Sequence, residues 1–536
     1  MQSALFDIPA LGSRISRQLA TIRLTEGLPV ISARRCSAAL ASALLLGLGV
    51  VNSAALVHNI AVGAPAHAVK QTTARATTTS STPTLASRLN AVKNAKTLNY
   101  YPSTAGWSKM WTSWDAATID ADLARAASLG ANNIRVIVFP TTFGWPTPSP
   151  TYVNRLDQFV DMAGARGMSV KLTLFDWWDG YTETDRSIAW AKTLLAPYKN
   201  DNRVLSVELQ NEFNPDNATA VAWAKKIVPA VRAAFPTMPL TFSVDGGQGA
   251  QGMGKLKSLL AATPLDYYDF HFYGNSERAL AMINQAEATV APAPMVIGET
   301  GLSTLSSTEG EQAAFLGRVF EAAEIAGVPV APWTLSDFAS GAIPTSQVAK
   351  LPAQYNFGLY RLNGTAKPAA AVVKAGWANT AMPSSLMDPS FEAAAGQTPW
   401  RAYLPELGLA TKTQAVRRTG SWSVTMSNTG KTSAGSPSYR VSPITPVKGG
   451  QKWHAEVWAR GNATTGTTQI ALSWFDINDK WLGGVSSNWL PNGTVGWTKL
   501  AVDGIAPAGA ASMQVHIKSG ENKGTVWFDD AVIVAS

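Results

Sequence analysis

Between residues 96 and 338, eight short β-rich runs alternate with stretches of helical periodicity, and this alternation restricts the fold more than any other feature of the chain. The runs are KTLNYYP, NNIRVIVFP, MSVKLTLFDW, RVLSVELQNEF, MPLTFSVDG, DYYDFHFYG, APMVIGETG and VPVAPWTLSDF. Between them, IDADLARAASLG, YVNRLDQFVDMAGARG, AVAWAKKIVPAVRAAF and EQAAFLGRVFEAAEIAG carry apolar residues at three- and four-residue spacing. Several of these stretches end in Gly, as helix C-termini do. Strands alternating with helices predict a parallel sheet. Eight units in about 280 residues match a closed (β/α)8 TIM barrel, with a doubly wound open sheet as the alternative.

A closed barrel carries its chemistry at the C-terminal ends of its strands. Polar residues gather there: Asn211 and Glu212 on the fourth run, His271 and Tyr273 on the sixth, Glu299 on the seventh and Trp333 on the eighth. Glu212 and Glu299 each end an otherwise apolar run, where a carboxylate is costly unless it is paired or used. Two such carboxylates fit glycosidic cleavage, which needs an acid for the leaving oxygen and a second carboxylate to attack carbon or activate water. The competing account, salt bridges to barrel arginines, suits one such Glu better than two flanked by Asn, His, Tyr and Trp. GGQGAQG, residues 246–252, spells the dinucleotide fingerprint G-x-G-x-x-G. It falls in the fifth unit of the barrel, however, where a glycine-rich loop is the expectation.

The motifs together resemble glycoside hydrolase family five, within the clan A barrels that include cellulases and mannanases. In that clan an Asn-Glu pair ends the fourth strand, as Asn211-Glu212 does in VELQNEF, and a second Glu ends the seventh, as Glu299 does in MVIGETG. The resemblance implies Glu212 as acid/base and Glu299 as nucleophile, with retention of anomeric configuration. It implies supporting roles for Arg135 in NNIRV, Asn211 at the sugar 2-hydroxyl, His271, Tyr273 at Glu299 and Trp333 beneath the cleaved sugar. Charge proximity would let Arg135 keep Glu299 ionised. The family places a His at the end of the third strand; here Phe175 or Asp176 takes that place. Trp107, Trp145, Trp177, Trp178 and Tyr181 fall in strand-end loops and are candidates for further sugar subsites or for loop packing. The implied substrate is a β-linked poly- or oligosaccharide. An exo-acting β-glycosidase is the enzymatic alternative, and a non-catalytic carbohydrate-binding surface protein is the reading from another class.

Composition excludes other chemistries. The one cysteine, Cys36, precedes the barrel, so no thiol is available to it for a nucleophile, a metal or a disulfide. His271, His454 and His516 are the only histidines after residue 68 and are far apart, which argues against a multi-histidine zinc site. No cofactor is expected. The net charge is +8, of which +3 falls in residues 1–68, and no Lys/Arg run appears, so no nucleic-acid partner is expected. No protein partner is expected either, and the chain is read as a monomer.

Residues 1–68 have the layout of an export signal: Arg34-Arg35, an apolar run from Ala38 to Val57, and Ala66-His67-Ala68 as a cleavage pattern. This predicts a secreted protein, with membrane anchoring by residues 38–57 as the alternative. Residues 69–95 read as a Thr/Ser/Ala-rich spacer, and 96–380 as the barrel. Residues 386–536 lose helical periodicity and show short alternating segments, from SWSVTM to VWFDDAVIV, that predict an all-β jelly-roll sandwich. This part resembles carbohydrate-binding modules of the family four/nine type, from DPSFE to VWFDDAVIV. It holds nine Trp. Strand alternation is expected to bury Trp458 and Trp527, leaving loop-borne Trp481 and Trp489 as ligand candidates.

Overall fold

A computed structural model of the chain describes residues 83–535, apart from 381, 383–387, 394–397, 399 and 442–444. The expected export signal, the alternative anchor at 38–57 and the spacer up to residue 82 lie outside the described residues. The spacer does not extend to residue 95. Leu85–Lys93 is a helix, opened by a reciprocal cap in which the Thr84 and Ser87 hydroxyls each accept the other's backbone N–H at 3.0 Å. Leu85, Leu89 and Val92 carry the helical spacing, which an average over a polar stretch conceals. Val92 is buried against Leu205, Tyr267 and Val296, and Arg88 reaches the Asp201 carbonyl at 2.8 Å.

The barrel strands are β1 (Thr97–Asn99), β2 (Asn133–Ile137), β3 (Ser169–Phe175), β4 (Val204–Gln210), β5 (Leu240–Thr241), β6 (Ser243–Val244), β7 (Tyr268–Phe272), β8 (Met295–Thr300) and β9 (Val330–Pro332). All pair in parallel, in the orders β1-β2-β3-β4-β5 and β6-β7-β8-β9. The short segments β5 and β6 together fill the fifth position of a (β/α)8 barrel. Side chains tie β1 to the last strands: Asn99 Nδ2 donates to the Gly298 and Pro332 carbonyls at 2.8 and 3.1 Å, and Thr334 Oγ1 donates to the Asn99 carbonyl at 2.9 Å. The sequence-expected helices appear as Ala116–Ser128, Pro150–Ala165, Ala218–Ala234 and Glu309–Ala326. The last ends at Gly327 with φ 77°, a left-handed conformation that glycine adopts without a Cβ clash. The expected glycine loop at 246–252 is corrected, since helix Gly249–Leu259 begins inside it.

Branched apolar side chains are the usual filling of such a barrel. Here the interior holds charge. Arg135, Lys171, Glu208 and Asp269 come from four strands and are all buried. Arg135 grips Glu208 through Nε at 2.7 Å and Nη2 at 3.0 Å. Lys171 contacts Glu208 at 3.2 Å and pairs with Asp269. Gly298 is required beside this pair: a Cβ there would stand 1.9 Å from Asp269 Oδ1.

The C-terminal region is antiparallel throughout. Its strands are β10 (Trp400–Tyr403), β11 (Thr411–Thr413), β12 (Ser423–Ser427), β13 (Ser438–Val441), β14 (Thr445–Pro446), β15 (Lys452–Thr464), β16 (Thr467–Phe475), β17 (Trp481–Ser486), β18 (Gly493–Ile505), β19 (Ser512–Gly520) and β20 (Thr525–Ala535). They form two sheets, β10-β13-β19-β16-β17 with β14 on β19, and β11-β12-β20-β15-β18. Between them lies a core that includes Val424, Val457, Leu472, Trp474, Val515 and Phe528. Alternation runs opposite to expectation at two tryptophans. β15 turns Ala455, Val457 and Ala459 inward, and β20 turns Val526 and Phe528 inward. Trp458 and Trp527 therefore lie half-buried on the outer face, with Arg418 stacked 4.0 Å from the Trp458 ring. Trp400 and Trp474 are the buried ones.

Candidate active site

Short hydrogen bonds from the barrel frame fix the end of β4. Asn211 N donates to the Phe175 carbonyl at 3.0 Å, Glu212 N to Ser243 Oγ at 2.7 Å, and Phe213 N to the Ser243 carbonyl at 2.9 Å. Glu212 is held at φ 45°, a left-handed conformation that costs a non-glycine residue about 1–3 kcal/mol. The turn lifts its side chain out of the sheet, leaving it 39% exposed. Glu299, at the end of β8, is 8% exposed. Oxygens of these two carboxylates and a nitrogen of His271 all lie within 4.8 Å of one another. His271 Nδ1 stands between them, 3.3 Å from Glu212 Oε1 and 3.5 Å from Glu299 Oε2.

Glu299 is oriented at both oxygens. Arg135 Nη1 donates to Oε1 at 2.5 Å and Tyr273 Oη to Oε2 at 2.9 Å. Burial pushes its carboxyl above the ordinary range, and the opposing charges of His271 and Arg135 do not cancel that effect. The expectation that Arg135 dominates is thereby corrected, because Arg135 divides its charge with Glu208. At Glu208, burial also opposes ionisation, but Arg135 and Lys171 outweigh it and hold the carboxyl far below the ordinary range. Burial disfavours the His271 cation. The charge of Glu299 and the hydrogen bond to Glu212 prevail and push its pKa up to about 9.

Asn211 bridges the centre to its rim. Its Oδ1 accepts from Arg135 Nη2 at 2.7 Å, and its Nδ2 donates to Asp176 Oδ1 at 3.3 Å. This resolves the place of the missing third-strand histidine. Phe175 turns into the aromatic packing of Trp190 and Trp223, and Asp176 faces the site. Trp333 is buried, its indole N–H donating to Gln354 at 3.2 Å and its ring meeting Trp107 edge-on at 5.6 Å. Trp107 in turn stacks on Tyr101 at 5.1 Å. Trp145 packs on Trp178 at 4.3 Å, Tyr181 accepts from Gln210 at 2.6 Å, and Trp177 is 48% exposed. Of these five loop aromatics, Trp177 alone is open to solvent. Trp481 and Trp489 of the sandwich are each 62% exposed.

Asn99, Lys171, Glu208 and Asp269 escaped the sequence reading. Period-two spacing was the available signal: Arg135, Lys171 and Glu208 each interrupt an apolar strand at an inward position. Their partners come from other strands, so sequence distance hides the pairing.

Residues 94–339 match the family model described as cellulase (glycosyl hydrolase family 5). The chain is 28% identical over 203 residues to Endoglucanase CelA of Streptomyces lividans, covering 35% of this chain and 42% of that protein. It is 26% identical over 254 residues to Endoglucanase E-5 of Thermobifida fusca, covering 44% and 53%. It thus spans about half the length of the curated relatives it matches. Similar solved structures include the exo-β-1,4-mannosidase Op5Man5 from Opitutaceae bacterium strain TAV5, with 21% identity, TM-score 0.44, and 53% and 59% coverage of the two chains. Another is GH5_18 from Streptomyces cattleya in complex with GlcNAc, with 18% identity, TM-score 0.45, and 54% and 81% coverage. Residues 94–339, which contain the site from Asn99 to Trp333, form a cellulase-type domain of glycosyl hydrolase family 5.

Proposed function

We propose that this protein is a secreted retaining glycoside hydrolase that cleaves a β-linked polysaccharide by double displacement. The carrying observation is the approach of Glu212 and Glu299 to within 4.8 Å. Retaining enzymes hold their carboxyl groups about 5–5.5 Å apart, whereas inverting ones need about 6.5–9.5 Å to admit a water. In the first step a Glu299 oxygen bonds to the anomeric carbon. The glycosidic C–O bond breaks, and the leaving oxygen takes the proton of Glu212. In the second step Glu212 takes a proton from water, whose oxygen displaces Glu299 at the same carbon. Arg135 and Tyr273 orient Glu299, and His271 supplies positive charge between the carboxylates. Asn211 meets the sugar 2-position, and Trp333 bounds the subsite.

The sandwich supplies a carbohydrate-binding surface, with Trp481 and Trp489 as the exposed stacking groups. Among the described residues no helix is long and apolar enough to cross a membrane. Proton NMR of the first product formed from an aryl β-glycoside tests the proposal. The β-anomer should appear before mutarotation; initial α-anomer contradicts it.

A further inference from the structure

Asp176 is the one carboxylate of the site that the catalytic reading leaves without a task. It is buried, 7% exposed. Its Oδ1 accepts from Asn211 Nδ2 and, at 3.0 Å, from Trp177 N, while its Oδ2 accepts no hydrogen bond. No Lys, Arg or His forms an ion pair with it among the described residues. A buried carboxylate without a cation is costly unless a ligand supplies one. A second group beside it is also unsatisfied. The Tyr101 hydroxyl is buried and lacks a hydrogen-bond partner, and Asp176 is the charge that acts on it most strongly. The cations nearby are already engaged, Arg135 by Glu208 and Glu299, Lys171 by Asp269 and Glu208. What faces the opening is negative: Asp176, Glu212 and half-buried Asp245.

From this geometry we infer that Asp176 selects a sugar carrying a positive charge at its 2-position, so that the substrate class is a β-linked 2-amino-2-deoxy-glycan. The inference rests on the catalytic reading above, which brings the sugar 2-position to Asn211. Asn211 fixes Asp176 beside that position and turns the free Oδ2 and the Tyr101 hydroxyl toward an incoming donor. An ammonium group offers three donors and a full charge, whereas a hydroxyl offers one donor and none.

The test uses the full chain and β-linked hexamers of glucosamine, N-acetylglucosamine, glucose and mannose, at a pH where the free amine is protonated. The glucosamine hexamer should be hydrolysed with kcat/KM at least about tenfold above the glucose hexamer, and the N-acetylated hexamer, which has no charge, should show no such preference. Added salt should erode the preference. In Asp176→Asn the glucosamine-to-glucose ratio should fall about tenfold, and Asp176→His should lower it further. Equal kcat/KM on charged and neutral hexamers in the wild-type chain, or an unchanged ratio in Asp176→Asn, overturns the inference. Hydrolysis of a neutral hexamer with none of the glucosamine hexamer overturns it too, while leaving the catalytic reading standing. Hydrolysis of no hexamer removes both.

Discussion

At the scale of residues, the two carboxylates occupy different environments, and their proposed roles follow from that difference. Glu299 is buried and held at both oxygens, which fixes it for attack along one line. Glu212 projects from a strained turn with its side chain part-exposed, so it reaches both a leaving group and water. Glu212→Ala should therefore retain the first step on aryl glycosides with good leaving groups, which need little protonation. The covalent intermediate should accumulate, and azide should raise turnover at least tenfold while giving a β-glycosyl azide. Azide rescue in Glu299→Ala instead, with an α-product, would exchange the two roles. Both carboxylates were legible in the sequence because each ends an apolar strand. Asp176 was not separable from Phe175, since a strand end can rotate either neighbour into the site, and only packing of Phe175 against Trp190 and Trp223 decides it.

At the scale of elements, the ion network binds β2, β3, β4 and β7 to one another through side chains as well as through the backbone ladder. Arg135 and Lys171 share Glu208, which is fully buried. Replacing one partner of such a network leaves the others uncompensated. Glu208→Gln should destabilise the chain by about 3–5 kcal/mol, read from chemical denaturation. The pH dependence has a definite sign. The folded-state pKa of Glu208 lies below its ordinary value of 4.5, so its contribution is complete above that value and is lost as pH falls below it. The wild-type stability should thus drop more steeply below pH 4.5 than that of Glu208→Gln. Similar acid sensitivity in the two proteins would count against the network. The eight strand–helix units were legible from periodicity alone. The helix Leu85–Lys93 and the outward turn of Trp458 and Trp527 were not: the first is concealed by polar composition, and the second depends on strand phase, which one residue of slip reverses.

At the scale of the whole molecule, barrel and sandwich form one compact unit. Contacts between them are few and polar, with Arg278 3.0 Å from Asp479 and Arg401 4.0 Å from Glu311. Each part has its own core, and the residues of the catalytic centre all precede residue 380. Truncation after Thr380 should leave kcat/KM on small soluble glycosides within about threefold, and should lower activity on insoluble polysaccharide about tenfold or more through lost tethering. Equal loss on both substrates would make the sandwich a structural support of the barrel. The central claim, that Glu299 forms a covalent bond to the sugar, is tested most directly by trapping. Incubation with a 2-deoxy-2-fluoro β-glycosyl fluoride, peptic digestion and mass spectrometry should place a single glycosyl adduct on Glu299 in the segment MVIGETG. An adduct on Glu212, or an inverted hydrolysis product with no adduct at all, would contradict it.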